Sequence, residues 1–401
     1  MGKNKKQHYD VIVIGAGAAG MVAAITAARN GKKVIILEKL DKAGKKLLAT
    51  GNGKCNFTNA KMSADCYGGD RSFIEGILTN YGVKEILDFF HSIGIYPMEK
   101  NGYYYPNSEQ ATSVVYALLD ELDRLHVTIA YGQQVNKIQP SSHGVNVFTT
   151  CDTFSCNKLI IATGLKASPK LGSDGNMFNV IKELGHRFTP VLPALCGYYC
   201  KGIDFKKISG VRARGTVHAK INGNIVASDT GEMQFTDYGL SGIPVFQISR
   251  FLSKALYAKE NVEIELNLLP EFDKETLINE LNFRKDRLKC RKEHLLNGLL
   301  NQKLADMLLH SMKEEFSTEM LANKLRSITV SVTEYRDYEF AQVCTGGIPV
   351  VEVHPETLES VFIPNIHFAG EILDVDGICG GYNLHFAWAT GLIAGNATAD
   401  H

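Results

Sequence analysis

Six residues, Gly15-Ala16-Gly17-Ala18-Ala19-Gly20, constrain this 401-residue chain more than any other feature. They follow a β-branched run over residues 9–14 and open a small-residue helix over 18–30, closed by Gly31. A second apolar run, 33–38, ends in Glu38. A glycine motif alone is weak. A strand, glycine turn, helix and strand within about 30 residues is the start of a doubly wound parallel sheet. Gly15 permits the tight turn, Gly17 lets backbone approach a pyrophosphate, and Gly20 lets helix and strand pack closely. The helix N-terminus offers unpaired N–H groups and partial positive charge. Glu38 can accept hydrogen bonds from an adenosine ribose and disfavours a 2′-phosphate. The site therefore suits FAD or NAD over NADP.

Composition narrows the remaining classes. Lys+Arg and Asp+Glu total 43 each, so no whole-molecule field draws the chain to nucleic acid or anionic membrane. No stretch reaches 18 consecutive apolar residues, so no transmembrane helix is expected. Residues 1–10 carry lysines and no apolar core, unlike a signal peptide. The nine cysteines are scattered and odd in number, which fits reduced thiols in the cytoplasm. No metal-ligand spacing is present among them.

The chain changes character along its length. Helices are expected over 73–93 and 111–125, with a hairpin or loop at 95–106 between them. One strand is expected over 127–138, and a meander at 145–150, 153–157 and 159–162 leads back into the parallel sheet. From residue 193 the pattern is antiparallel, with Asn222-Gly223 as a hairpin turn. Residues 273–326 are helical, with Asp273 and Ser317 as caps. From Gly346 the chain is glycine-rich and apolar, ending in a helix over 383–396.

Three more motifs carry chemistry. The polar loop 43–59 contains Lys45, Lys46, Gly51, Asn52, Asn56 and Asn59, which either line a phosphate and flavin edge or form a solvated basic loop. Ile161-Ala162-Thr163-Gly164 ends an apolar strand beside the dinucleotide. Residues 368–383 place Glu371 and Asp374 just past a strand, and Gly380-Gly381 before the last helix. A helix N-terminus aimed at a flavin pyrimidine would stabilise negative charge there.

In this order and spacing, the four motifs resemble the NAD(P)/FAD-dependent oxidoreductases of the BaiN/RdsA type, also described as aminoacetone-oxidase-like. The resemblance includes 50–59 (TGNGKCNFTN), 190–195 (PVLPAL), 235–244 (FTDYGLSGIP) and 368–377 (FAGEILDVDG). It implies an α/β fold: a Rossmann-like FAD-binding domain of the two-dinucleotide-binding flavoprotein type, with an antiparallel β insert and a helical insert. The expected domains are 1–192 with 345–401 for FAD, 193–270 with 327–344 for a barrel-like insert, and 271–326 for the helical insert. By position, Gly15, Gly17, Ala18, Ala19 and Gly20 would hold the pyrophosphate, with Glu38 and Lys39 at the ribose. Lys46, Gly51, Asn52 and Asn56 would lie near the pyrophosphate and ribityl chain. Val135 would contact adenine, and Ala162, Thr163 and Gly164 the adenylate half. Gly370, Glu371 and Asp374 would sit at the ribityl chain, and Gly381, Tyr382, Asn383 and Leu384 at the flavin ring.

The chain departs from the family pattern in three places. Leu165 replaces a second glycine, His385-Phe386 replace Gln-Trp, and Val361 replaces a basic residue. His385 is the candidate proton donor, because imidazole titrates near neutrality. A helix-buried histidine with a structural hydrogen bond is the competing reading.

The activity implied is flavin-mediated hydride transfer on a small-molecule substrate. NAD(P)H would be a transient co-substrate, since no second strand-linked GxGxxG exists. The acceptor would be a small or steroid-like unsaturated ketone, or the chain would act as an aminoacetone-type amine oxidase. Six basic residues within 284–292, offset only by Asp286, raise a flavoprotein acting on nucleic acid as the alternative. The zero net charge disfavours it. No membrane partner is expected, and the oligomeric state is left open. A flavin-binding scaffold without turnover is the third reading.

Overall fold

The strand β1 (Gln7–Ile14) runs through the middle of the largest sheet because its alternate faces are both covered; Val11, Ile12, Val13 and Ile14 are all buried. The computed structural model describes residues 7–142, 144–312 and 316–399. The chain divides into two compact units, one ending at Val191 and resuming at Val343, the other spanning Leu192–Gln342.

In the first unit, β1 is followed by α1 (Ala18–Arg29) and β2 (Val34–Leu37). The sheet order is Thr128–Ala130, β2, β1, Thr153–Ile161, Gly144–Thr149, Val135–Ser141. Thr153–Ile161 pairs antiparallel with Gly144–Thr149 over its first half. Over its last three residues it pairs parallel with Ile366–Phe368. The five parallel strands end on one side, where a doubly wound sheet binds its ligand.

Two expectations are corrected here. Residues 127–138 are not one strand. Thr128–Ala130 lies at one edge of the sheet and Val135–Ser141 at the other. The link between them crosses the end of β2, where Gly132 and Gln133 donate to the carbonyls of Leu40 and Glu38. Residues 73–93 form two helices, Arg71–Asn80 and Val83–Ser92, because Gly82 caps the second with Glu85 accepting from its N–H at 3.0 Å.

The C-terminal helix, Tyr382–Asn396, is apolar all round and packs on α1. Small residues set the approach: a Cβ at Gly391 would lie 2.6 Å from the Ala19 carbonyl oxygen, and one at Gly395 2.7 Å from that of Ala23. Trp388 is fully buried on this helix, its Nε1 donating to the Phe57 carbonyl at 3.0 Å.

The second unit is built on a closed six-strand antiparallel barrel. Its order is Tyr198–Lys201, Gly239–Gly242, Asn224–Phe235, Arg212–Ile221, Val262–Asn267, Ile328–Tyr335. Asn222-Gly223 makes the expected hairpin turn, with φ of 51° and 84°. A helix not anticipated from sequence, Ile243–Tyr257, packs on the barrel and carries Pro244 in its first turn. Lys274–Asn282, Gln302–Ser311 and Thr318–Arg326 form the helical segment of the same unit. Asp273 and Ser317 cap the first and third, accepting from Thr276 and Met320 N–H at 2.7 and 3.1 Å.

Candidate functional site

The glycine turn is shaped by close approach on one side and open space on the other. Gly15 has φ of +100°, and a Cβ there would meet the Ala162 carbonyl oxygen at 2.7 Å. A Cβ at Gly20 would sit 1.9 Å from the Gly15 carbonyl oxygen. At Gly17, the N-cap of α1, a Cβ would meet nothing within 4 Å. Helix geometry leaves the N–H groups of Ala18, Ala19 and Gly20 without intrahelical partners, and no acidic side chain stands in that first turn.

Glu38 is 9% exposed and holds this turn. Its Oε2 accepts from Ala16 N–H and its Oε1 from Leu40 N–H, both at 2.8 Å. A carboxylate has about four acceptor positions, so each oxygen can take a further donor such as a ribose hydroxyl. Gln133 donates to the Glu38 carbonyl, which brings Val135 to within two residues of this corner. Lys39 turns elsewhere, to Asp174 at 2.5 Å and Asn176 at 3.1 Å.

The loop 43–59 folds back to the same place. Gly44 N–H donates to the Ala16 carbonyl at 2.9 Å. Lys46 Nζ lies 2.7 Å from Glu371 Oε2, and Glu371 Oε1 accepts from Cys344 N–H at 2.9 Å. Burial pushes the Cys344 thiol up to about 12, so it is no thiolate near neutral pH. Gly164 lies beside this pair, since its Cβ would be 3.7 Å from Glu371 Oε2. Thr163 Oγ1 is buried with no hydrogen-bond partner. A Cβ at Gly370 would lie 2.9 Å from the Ala19 methyl, so the C-terminal segment touches the first turn of α1. Gly51 and Asn52 are exposed in left-handed conformation, with φ of 56° and 54°. Asp374 accepts from Thr189 Oγ1 at 2.9 Å.

A second cluster forms at the start of the C-terminal helix. Its N-cap, Gly381, has φ of +94°, and a Cβ there would lie 2.7 Å from the Thr58 carbonyl oxygen and 2.8 Å from the Asn56 side-chain amide. The Asn56 amide nitrogen faces the Thr58 and Tyr104 carbonyls. Asn383 clamps Gly377, accepting from its N–H and donating to its carbonyl at 2.8 Å each. Tyr382 is buried; Tyr67 Oη donates to its carbonyl at 2.9 Å, and burial raises the Tyr382 phenol above its ordinary range. Leu384 is half-buried beside it.

His385, the candidate proton donor, is 0% exposed. Its Nε2 lies 3.0 Å from the Tyr81 carbonyl, which can only accept, so Nε2 carries the proton. In the neutral ring Nδ1 then accepts from Thr58 Oγ1 at 2.8 Å. Burial lowers the imidazole to about 4. His385 therefore has no N–H left to offer a substrate and joins the helix to the Thr58 and Tyr81 segments. Of the other two departures, Leu165 is fully buried and Val361 is exposed.

The structure thus gathers the glycine turn, Glu38, Lys46, Ala162–Gly164, Gly370 and Glu371 in one cluster, and Asn56, Gly381, Tyr382 and Asn383 in a second. The packing of the C-terminal helix on α1 joins the two. Open space at Gly17, the orphaned Thr163 hydroxyl and two helix N-termini without acidic first-turn residues fit a dinucleotide bearing a flavin. Among the described residues, no group of three His, Cys, Asp or Glu could hold a metal ion, and no helix is long and apolar enough to cross a membrane. Sequence reasoning missed Thr58, whose hydroxyl fixes His385; its only signal is its place inside the polar loop.

The family model for the HI0933-like protein Rossmann domain matches residues 9–397. The 3-dehydro-bile acid delta(4,6)-reductase of Clostridium scindens is 40% identical, covering 97% of this chain and 98% of that protein. The ribosomal RNA dihydrouridine synthase of Escherichia coli is 28% identical, covering 96% of each. Among solved structures, 3-ketosteroid-delta4-(5alpha)-dehydrogenase from Rhodococcus jostii RHA1, in complex with 4-androstene-3,17-dione, aligns with a TM-score of 0.53. It covers 98% of this chain and 97% of its own at 14% identity, a likeness of fold.

Proposed function

The chain belongs to the HI0933-like family and is an FAD-dependent oxidoreductase; from that premise we propose that it is a reductase, using NAD(P)H to saturate a C=C bond conjugated to the ketone of a steroid-like molecule. The observation that carries this acceptor is the 40% identity, end to end, with a bile-acid reductase. Bound FAD supplies the hydride chemistry. The first-turn N–H groups of α1 hold its pyrophosphate, and Glu38 accepts from the adenosine ribose. Thr163 donates its unpartnered hydroxyl to the adenylate half, and the Lys46–Glu371 pair lines the ribityl chain. The N-terminus of the helix Tyr382–Asn396 offsets negative charge at the pyrimidine edge of the flavin. NAD(P)H has no Rossmann turn of its own and binds only transiently.

The test is anaerobic stopped-flow reduction of the purified yellow protein by NADH and by NADPH, followed by an unsaturated 3-ketosteroid. Reduction by either nucleotide and reoxidation by the ketone supports the reading. A flavin that neither nucleotide reduces, but an amine does, and that oxygen reoxidises, makes the protein an amine oxidase instead.

A second reading, action on RNA, is favoured by one observation. Lys285, Arg287, Lys289 and Arg291 are exposed and make no ion pair among the described residues. The expected helix face is not what presents them. They lie in the π-turn Phe283–Arg287 and the irregular segment after it, while Arg284 is tied to Glu280 at 2.6 Å and Lys292 to the Met312 carbonyl at 3.2 Å. Reversing these four charges abolishes salt-dependent retention on ribosomal RNA if this reading holds, and changes nothing if the steroid reading does.

A further inference from the structure

The stretch 235–244 plays no part in the cofactor site, yet its Tyr238 belongs to an unusual cluster at one end of the barrel. Arg336 follows the strand Ile328–Tyr335, and its N–H donates to the Gly197 carbonyl at 3.0 Å. Its Cζ lies 3.7 Å from the ring centre of Phe340, 4.3 Å from that of Tyr238 and 5.8 Å from that of Tyr199. Tyr199 and Tyr238 are themselves 5.2 Å apart. Phe340 is 54% exposed and Tyr199 39%. Among the described residues no carboxylate pairs with Arg336; Asp337, next to it in the chain, and Asp237, next to Tyr238, make no ion pair with it. Its Nε is buried with no hydrogen-bond partner.

Aromatic rings satisfy the faces of a guanidinium through cation–π attraction. They cannot satisfy its N–H groups, which lie in the plane. Phe340 and Tyr238 cover its faces and its Nε is closed to solvent, so a polar partner reaches the guanidinium at its outer rim, through Nη1 and Nη2. That rim is a planar fork matched to the two oxygens of a carboxylate. Around it stand exposed rings that offer apolar contact and lower the local dielectric, which strengthens a charge-assisted bond. Nucleic acid asks for a track of several cations. Here a single arginine stands among aromatics, and the unpaired basic run lies far along the chain at 285–291.

We propose that Arg336, walled by Tyr199, Tyr238 and Phe340, is a receptor for the carboxylate of an apolar organic acid, and that the acid is a steroid acid. The steroid skeleton rests on the function proposed above; the carboxylate receptor does not. Arg336 binds and orients; it takes no part in hydride transfer.

The test is calorimetric titration of the flavin-loaded protein with deoxycholate, its uncharged methyl ester, decanoate and a short oligoribonucleotide. In the wild type, deoxycholate binds about tenfold or more tighter than the ester, and R336Q removes that preference while leaving ester affinity unchanged. R336K, which keeps charge but not the fork, restores part of it. Phe340→Ala weakens acid and ester alike. Retained flavin absorbance shows each variant folded. Decanoate binding that depends on Arg336, with no binding of either steroid, upholds the receptor and removes the steroid reading. Equal affinity of acid and ester, an R336Q variant indistinguishable from wild type, or Arg336-dependent binding of the oligoribonucleotide alone overturns the proposal.

Discussion

Replacing Gly17 by alanine separates the protein's own needs from those of its cofactor. The residue has φ of −87° and ψ of −168°, extended backbone that alanine adopts without strain. A methyl group there meets no protein atom within 4 Å. Two small terms act on the apoprotein. Loss of glycine's freedom in the unfolded chain stabilises by about 0.4–1 kcal/mol. Alanine is a poorer N-cap than glycine, which costs a similar amount. They nearly cancel, so the urea midpoint of the apoprotein stays put. The cofactor does not escape so lightly. On the proposed function, the methyl enters the space through which pyrophosphate oxygens would reach the first-turn N–H groups. Losing one hydrogen bond to a charged group costs about 1.5–3 kcal/mol, or roughly 10- to 150-fold in FAD affinity. Calorimetric titration of the apoprotein with FAD reads this directly. Gly20→Ala is the contrast. Its Cβ must retreat from 1.9 Å to at least 3.0 Å from the Gly15 carbonyl oxygen, a shift of about 1.1 Å. The helix α1 is backed by Gly391 and cannot yield freely. That variant loses about 1–3 kcal/mol of stability even without FAD. If Gly17→Ala binds FAD within about twofold of wild type, the open face of the turn is not where the pyrophosphate lies, and the reasoning fails.

Four further outcomes follow from the structure. His385 is lowered to about 4 in the fold against about 6.5 unfolded, so the unfolded chain binds the extra proton between these values. Its contribution, on the order of 3 kcal/mol, is complete above pH 6.5 and is lost as pH falls toward 4. The stability difference between wild type and His385→Gln, followed by denaturant titration across that range, shows this slope, and a flat difference refutes it. For the same reason, the pH dependence of flavin reoxidation shows no inflection near neutrality that His385→Gln removes. Trp388→Phe strands the Phe57 carbonyl and costs about 1–3 kcal/mol; since the chain has one tryptophan, blue-shifted wild-type emission independently reports its burial. Lys46→Met leaves Glu371 held only by Cys344 N–H and weakens FAD retention on gel filtration more than Lys39→Met, whose partners lie in another loop.

What the sequence disclosed is what short spacing encodes. The Asn222-Gly223 hairpin and the caps at Asp273 and Ser317 each involve partners within a few residues, and the strand, glycine turn and helix over 7–29 are contiguous in the chain. The breaks came where distant partners decide. Residues 127–138 read as one strand, and only the link across Leu40 and Glu38 sends its halves to opposite edges of the sheet. The role of His385 depends on Thr58 and Tyr81, both more than 300 positions away. Arg336 owes its surroundings to residues 199, 238 and 340, a grouping no local pattern records. The same holds for His186, whose two nitrogens lie 3.0 Å from Glu352 and 2.8 Å from Ser360 in the buried support behind Ile366–Phe368.

The packing of α1 against the helix Tyr382–Asn396 has a consequence in time. The glycine turn leaves the ribosome early, yet Gly370, Glu371 and Gly381 are among the last of these residues to be synthesised. Until they emerge, α1 lacks the helix Tyr382–Asn396 that packs on it, and the barrel unit is translated in the interval. On the proposed function, flavin capture is a late event in the life of each chain, and a polypeptide ending before Gly370 is expected to stay colourless.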